Sequence, residues 1–395
     1  MSQIITYTDP LEGFPGWLVY DETTCRIAAG GFRVQPGLTE GTLRALAAKM
    51  TLKQRLLGIN VDGAKCGIAY DPRSRGKPEA IRRFLSFLRQ ELLHRMSMGC
   101  DMGTHWDELE TLARAEGIPG IKSAIRAAQG LDEDAFAARM AVLRGPLGGM
   151  DLAQRRAGHV LAMIALAAAE RAGLGTGLTI GLQGFGNLGR AAACSLLESA
   201  ATITAVADEY GCAADPAGLD VADMLASSYQ TPVPAMGHRR ALPSAGLLGL
   251  PCDLLVLAAG SEAIGEDQVA AVQAPVVVVG ANCGLSSTVE KLLFERGILV
   301  IPDFVGGIGG SASMEALFGP RQTPSPREVL DTLGGMSRAL VTDLVDGARR
   351  NSTSVRDQAL ERVDTRTVLG DERPYGDSPY LQAALAERPG RRTRS

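Results

Sequence analysis

Hydrophobic positions follow two rhythms along this chain. Helical spacing governs 39–57, where Leu43, Leu46, Ala47, Met50 and Leu57 fall largely on one face, and 77–95, with Phe84, Leu85, Leu88, Leu92 and Leu93. It returns at 151–172 and at 326–363, the latter carrying Leu330, Leu333, Met336, Leu340, Leu344 and, after a break, Leu360. Short apolar runs set the other rhythm. β-like pieces such as GWLVY lie between residues 4 and 34, and a glycine-interrupted strand fills 59–70 until Asp71-Pro72 ends it. In the second half, 178–182, CDLLVLAAG (252–260), PVVVVGAN (275–282) and GILVIPDFVGG (297–307) are separated by helical segments such as 287–295. Runs of that kind predict a parallel sheet buried on both faces, and so an α/β protein. Residues 98–117 predict a compact loop entering a helix capped by Thr104 or Asp107, 131–150 a turn-rich join, and 219–228 a short helix.

One stretch organises the second half. The apolar run 178–182 meets Gly184, Phe185, Gly186, Asn187, Leu188 and Gly189, then an alanine-rich helical pattern, a second apolar run and Asp208. Strand, glycine turn, helix and acidic strand end are the parts of a dinucleotide-binding βαβ unit. Gly184 permits the turn, Gly186 lets a pyrophosphate approach the backbone, and Gly189 lets helix and strand pack closely. The helix start offers N–H groups to phosphate. The rival reading is a glycine turn kept for packing alone. Asp208 is placed to accept ribose hydroxyls and to repel a 2′-phosphate, which favours NAD over NADP.

Bulk properties narrow the setting. The 395 residues exceed one ordinary domain and suggest two, and 46% hydrophobic content supplies a large core. A formal charge of −4 makes no electrostatic case for nucleic acid or an anionic membrane, and the basic end AERPGRRTRS reads as a frayed tail. The seven cysteines are scattered without CxxC spacing, which fits a reducing compartment. No secretory leader and no membrane-spanning run is apparent, so a cytoplasmic, soluble protein is expected. His94, His105, His159 and His238 form no metal-spaced set, and no metal is expected. His105 and Trp106 lie near enough to the Asp101 loop to be considered as site-lining residues, against ordinary helix-start packing.

Candidate chemistry concentrates in the first half. Lys65 sits in VDGAKCGI, Lys53 in MTLKQRLLGI and Asp101 in GCDMGT. A lysine among glycines and apolar residues is an awkward surface charge. Burial would depress its pKa while a nearby aspartate would oppose that, and a tuned lysine suits proton exchange near neutral pH. The competing reading is a structural Lys–Asp pair supporting a turn.

In order and spacing, GGFR (30–33), AAKMTLKQRLLGI (47–59), DGAKCGI (62–68), CDMGT (100–104), QGFGNLG (183–189), CDLLVLAAGSEAI (252–264), VVVVGAN (276–282) and RGILVIPDFVGGIGG (296–310) resemble the glutamate/leucine/phenylalanine/valine dehydrogenase superfamily. The resemblance covers roughly residues 25–350. It implies a two-domain amino-acid dehydrogenase-like fold with a Rossmann-type NAD(P) domain. The expected division is 1–145 for substrate and oligomerisation, 146–310 for the dinucleotide, 311–365 as C-terminal helices packing back on the first domain, and 366–395 as a partly disordered tail. It also implies reversible oxidative deamination of an L-amino acid to a 2-oxo acid and ammonia, in a homo-oligomer. By resemblance Lys53 holds the α-carboxylate, Lys65 activates water or stabilises a developing oxyanion, and Asp101 exchanges protons with the amino nitrogen. Ala259, Gly260 and Asn282 join the cofactor contacts.

Departures from the family pattern shape the substrate expectation. Where the family's glutamate enzymes carry a distal-carboxylate lysine before Gly30 and Gly31, this chain has Ala29, which points to a neutral, apolar or aromatic side chain. Asp62 precedes the catalytic lysine, Gly307 replaces a substrate-contacting asparagine, and Arg156 falls near a threonine on the nicotinamide side; all three are counted as candidate substrate contacts. The alternatives are an oxidoreductase acting on another 2-substituted acid, or a nucleotide-binding homologue without turnover.

Overall fold

The computed structural model describes residues 2–236, 240–260, 263–282 and 284–387. His238, Cys283, residues 261–262 of the 252–264 motif and the tail from 388 onward lie outside them. The chain forms two compact units. Met1–Met140 and Thr365–Ser378 make the first, and Ala141–Asp364 with the segment from Pro379 make the second.

The first unit is built on a five-stranded sheet of β1 (Gln3–Thr8), β2 (Pro15–Tyr20), β3 (Ala28–Val34), β4 (Asp62–Ile68) and β5 (Met96–Cys100), in the order β1-β2-β4-β3-β5. β3 runs parallel to both β4 and β5. Pleating sends alternate residues to opposite faces. Ala28, Phe32, Ala64, Cys66, Met96 and Met98 enter an apolar core with Phe84 and Leu88. The opposite face carries the glycines and charges. There the helix Glu40–Leu57 lies so close that a Cβ on Gly63 would stand 2.2 Å from the Thr51 backbone nitrogen. That helix starts at Thr39, whose hydroxyl accepts the Thr42 N–H, and stops at Gly58 with φ 74°.

The second unit carries a seven-stranded sheet in the order β12-β11-β10-β6-β7-β8-β9. β6 (Thr179–Gln183), β7 (Thr202–Asp208), β10 (Leu254–Leu257), β11 (Val276–Val279) and β12 (Leu299–Ile301) run parallel, and β8 (Gly211–Ala214) and β9 (Arg240–Leu242) extend it antiparallel. β10 and β11 are buried at every position, as continuous apolar runs require.

Several expectations change. Residues 96–100 are a sheet strand rather than part of a loop, and 77–95 is two helices parted at Leu88. The join at 131–150 contains the helix Glu133–Val142. The helix after the Asp101 loop has His105 at its N-cap with no side-chain bond, because the Thr104 hydroxyl bonds elsewhere. Residues 311–364 belong to the second unit, where Pro326–Asn351 packs along Leu152–Arg171; the segment that joins the first unit is Thr365–Ser378. Within the expected tail 366–395, this segment is anchored. Tyr375 is 1% exposed, and the Ser378 hydroxyl donates to the Leu57 carbonyl at 2.6 Å.

Candidate active site

The charged face of the first sheet brings Lys65 and Asp101 into direct contact. Lys65 projects from β4 and its ammonium pairs with Asp101 Oδ2 at the end of β5. Arg33 of β3 completes the group, donating from Nε to Oδ2 at 3.3 Å and from Nη2 to Oδ1 at 3.4 Å. Burial pushes the Asp101 carboxyl up, but the charges of Lys65 and Arg33 and the Met102 N–H outweigh it, so the pKa falls below the usual carboxylate range. The loop is fixed by Thr104, which accepts the Asp101 N–H at 3.0 Å and donates to the Phe32 carbonyl at 2.9 Å.

Glycines make this assembly possible. A Cβ on Gly30 would lie 1.6 Å from the Ala64 carbonyl oxygen, so β3 and β4 can approach only with glycine there. A Cβ on Gly31 would stand 3.0 Å from Asp101 Cβ and 3.2 Å from Lys65 Nζ, filling the space beside the ion pair. Lys53 is buried on the covering helix, two residues past the Thr51–Gly63 contact as Lys65 is two residues past it on β4. Ala29 is buried on β3, in register with Gly63 and Ser97.

Asp62 is corrected as a substrate contact. It is 1% exposed, its Oδ1 takes a bond of 2.5 Å from Arg55 Nη2, and its Oδ2 accepts the Cys25 N–H at 2.7 Å. Its charge is spent on anchoring the loop before β3. Trp106 packs against the first unit's core, and His105 is exposed. Arg33 was missed as a site residue although GGFR contains it; alternation along β3 places it on the face of Ala29 and Gly31.

In the second unit the dinucleotide turn has the expected shape. Gly184 has φ 92°, and a Cβ there would meet Ala259 Cβ at 2.4 Å; on Gly189 it would meet the Gly184 carbonyl oxygen at 1.8 Å. Packing therefore accounts for Gly184 and Gly189. It does not account for Gly186, around which nothing lies within 4 Å of a Cβ position. The helix Asn187–Leu197 begins there without a side-chain cap, leaving N–H groups at an open surface. Backbone donors beside open space suit a pyrophosphate, so the turn fits a dinucleotide. Phe185 is held from beneath by Arg190, which donates to its carbonyl at 3.1 Å and lies over its ring. Gly260 follows β10 with φ 81°, and Asn282 follows β11.

Asp208 stands at the end of β7, but its carboxylate is occupied. Oδ1 accepts the N–H groups of Tyr210 and Gly211 at 2.9 and 3.0 Å, and Oδ2 that of Val233 at 2.6 Å. It works as a turn residue. The exposed neighbour Glu209 leaves a second negative charge at the same strand end. Arg156 donates to the Ser313 hydroxyl at 2.6 Å, and Ser313 to the Gly310 carbonyl at 2.8 Å, so the two altered elements around Arg156 and Gly307 adjoin.

Comparison with known proteins decides the family. The sequence model described as Glutamate/Leucine/Phenylalanine/Valine dehydrogenase matches residues 148–366, and that of the Glu/Leu/Phe/Val dehydrogenase dimerisation domain matches 2–116. The chain belongs to this family. It is thereby an amino-acid dehydrogenase by descent, an NAD(P)-dependent oxidoreductase with a two-domain fold. A glutamate dehydrogenase of Aeropyrum pernix is 30% identical over 308 residues, covering 75% of this chain and 70% of that protein. An NAD-specific glutamate dehydrogenase of Staphylococcus aureus is 28% identical over 299 residues, with coverage of 75% and 70%. The solved hetero-hexameric glutamate dehydrogenase of Thermus thermophilus, in a Leu-bound form, superposes with a TM-score of 0.75 at 28% identity, covering 92% of this chain and 89% of that one. Among the described residues no helix is long and apolar enough to cross a membrane.

Proposed function

We propose that this family member catalyses reversible NAD-linked oxidative deamination of an L-amino acid, and amination of its 2-oxo acid, as a cytoplasmic homo-oligomer. The observation that carries the reading is the buried Lys65–Asp101 pair beside the side-chain-free Gly31. In the deamination direction Asp101 takes a proton from the substrate ammonium, since only the free amine can release hydride from Cα. The nicotinamide supplies the hydride acceptor. Departure of hydride leaves an iminium, to which water adds. Lys65 steadies the oxygen as negative character develops on it, and Asp101 returns a proton to the departing nitrogen. Lys53 holds the α-carboxylate. The backbone from Gly184 to Gly189 would hold the pyrophosphate, Ala259, Gly260 and Asn282 would be further cofactor contacts, and Gly307 and Arg156 are the second unit's candidate substrate contacts. Carboxylates of Asp208 and Glu209 at the end of β7 oppose a 2′-phosphate, which favours NAD over NADP.

Taken alone, Ala29 favours a neutral, apolar or aromatic side chain, because a buried second carboxylate without a cation is costly. NADH oxidation by the purified chain, with and without ammonia and across neutral and acidic 2-oxo acids, tests the function. Strictly ammonia-dependent turnover is expected. Turnover without ammonia would point to a reductase of another 2-substituted acid, and binding of NADH with no turnover to a non-catalytic homologue.

A further inference from the structure

Arg190 lies in the opening turn of the helix Asn187–Leu197, which begins at the open side of the dinucleotide turn. It is 1% exposed, and its guanidinium donates only to main-chain carbonyls. Nε reaches Phe185 at 3.1 Å. Nη1 reaches Met224, Leu225 and Ser227 at 3.3, 3.1 and 2.8 Å, and Nη2 reaches Ser228 at 2.9 Å. The guanidinium carbon also lies over the rings of Phe185 and Tyr229, 4.8 and 4.5 Å from their centroids. Among the described residues no carboxylate pairs with it. Such a placement is unfavourable on two counts. A buried cation without an anion loses its hydration for no counter-charge, and a cation at the start of a helix opposes the helix dipole.

Part of that arrangement is structural. Met224 and Leu225 belong to the last turn of the helix Val221–Ala226, where carbonyls lack partners within the helix, and the two Nη atoms supply them. Capping does not account for Nε, which bonds to the dinucleotide turn itself. The Phe185 carbonyl and the Gly186 N–H are opposite ends of one peptide unit. A charged donor on the carbonyl polarises that unit and makes its N–H a stronger donor. The Gly186 N–H has no partner among the described residues, and the space beside it is open. No residue from Gly184 to Gly189 is cationic. We propose that Arg190 is a positioning residue of the cofactor site, fixing the Phe185–Gly186 peptide from inside the fold and supplying behind the turn the positive charge that its surface lacks. This rests on the placement of the pyrophosphate at Gly184–Gly189. Arg190 acts through the backbone, and an anion received by those N–H groups offsets both of its costs.

The test measures binding by the full chain and by Arg190→Gln and Arg190→Lys. NADH is titrated by its fluorescence, and ADP-ribose, which keeps the pyrophosphate, and adenosine, which has none, compete against it. Arg190→Gln should weaken NADH and ADP-ribose about tenfold, the size of one charge-assisted hydrogen bond, and leave adenosine within about twofold. Arg190→Lys keeps the charge without the fork of donors, and its ADP-ribose affinity should fall between the other two. A residue that only caps the helix Val221–Ala226 would loosen that segment whatever the ligand, so equal weakening of adenosine and ADP-ribose overturns the proposal. Unchanged ADP-ribose binding in Arg190→Gln overturns it as well. Should Gln prevent folding, Arg190→Lys decides: a loss confined to the ligands with a pyrophosphate supports the role, and an equal loss or none overturns it. A wild type that binds neither NADH nor ADP-ribose would refute the reading of the turn itself, whereas firm wild-type binding that Arg190→Gln leaves unchanged refutes Arg190 alone.

Discussion

At Gly30 in the first unit and Gly189 in the second, a methyl group would strike a carbonyl oxygen, at 1.6 Å and 1.8 Å respectively. One residue on, at Gly31, the missing side chain leaves room beside charged groups; at Gly186 it leaves room beside bare backbone. The two regions thus use the same residue for the same pair of purposes, close approach and vacancy, but they face different chemistry. The first surrounds its space with Lys65, Asp101 and Arg33. The second offers N–H groups and the start of a helix. Side-chain charges suit a reaction in which protons move, and a backbone cradle suits a group that only has to be held.

The comparison breaks most sharply at the contact glycines. Gly30→Ala and Gly189→Ala should each cost more than ~3 kcal/mol, beyond ordinary overpacking, because backbone must move; chemical denaturation measures it. Next in size, Lys65→Ala should lower turnover by at least ~100-fold while nucleotide binding persists, and near-normal rates would remove it from the mechanism. Gly186→Ala should leave the unfolding midpoint alone and weaken NAD by about tenfold through crowding of the pyrophosphate, read by fluorescence titration. If it instead unfolds the protein, the turn is glycine-rich for packing only.

Acid should separate the units more subtly. Burial lowers the His159 pKa from 6.5 to about 4 between the Ser195 hydroxyl and the Leu330 carbonyl. A depressed folded value means its stabilising effect is complete above pH ~6.5 and lost as pH falls through about 4. Asp101 is also depressed, though by its cationic neighbours against its burial, so its contribution persists above the ordinary carboxylate pKa and disappears only as pH falls through a lower value. Hydrogen exchange at pH 5 should therefore loosen the helix Leu152–Arg171 while β4 and β5 stay protected. Simultaneous loosening would contradict the assignment.

Long periodic helices, buried valine runs and the glycine turn were legible because each is encoded locally. β5 was hidden, since MSMGC is short, contains Gly99 and lacks β-branched residues. The helix Glu133–Val142 was obscured by the Gly145-Pro146 and Gly148-Gly149 signals beside it. The anchoring of Tyr375 and Ser378 depends on partners more than 200 residues away, Gln129 and Leu57. In the site, Lys65 and Asp101 stood out by their glycine settings. Arg33 did not, because its place beside Asp101 follows from the register of β3 with β5, which local pattern does not show.

The seam where Thr51 of the covering helix touches Gly63 leaves no slack for even one added carbon. Anyone redesigning this protein for a different amino acid would find that seam intolerant of change. A change of preference has to come from positions such as Ala29 on the same face, with the scaffold that aims Lys65 left intact.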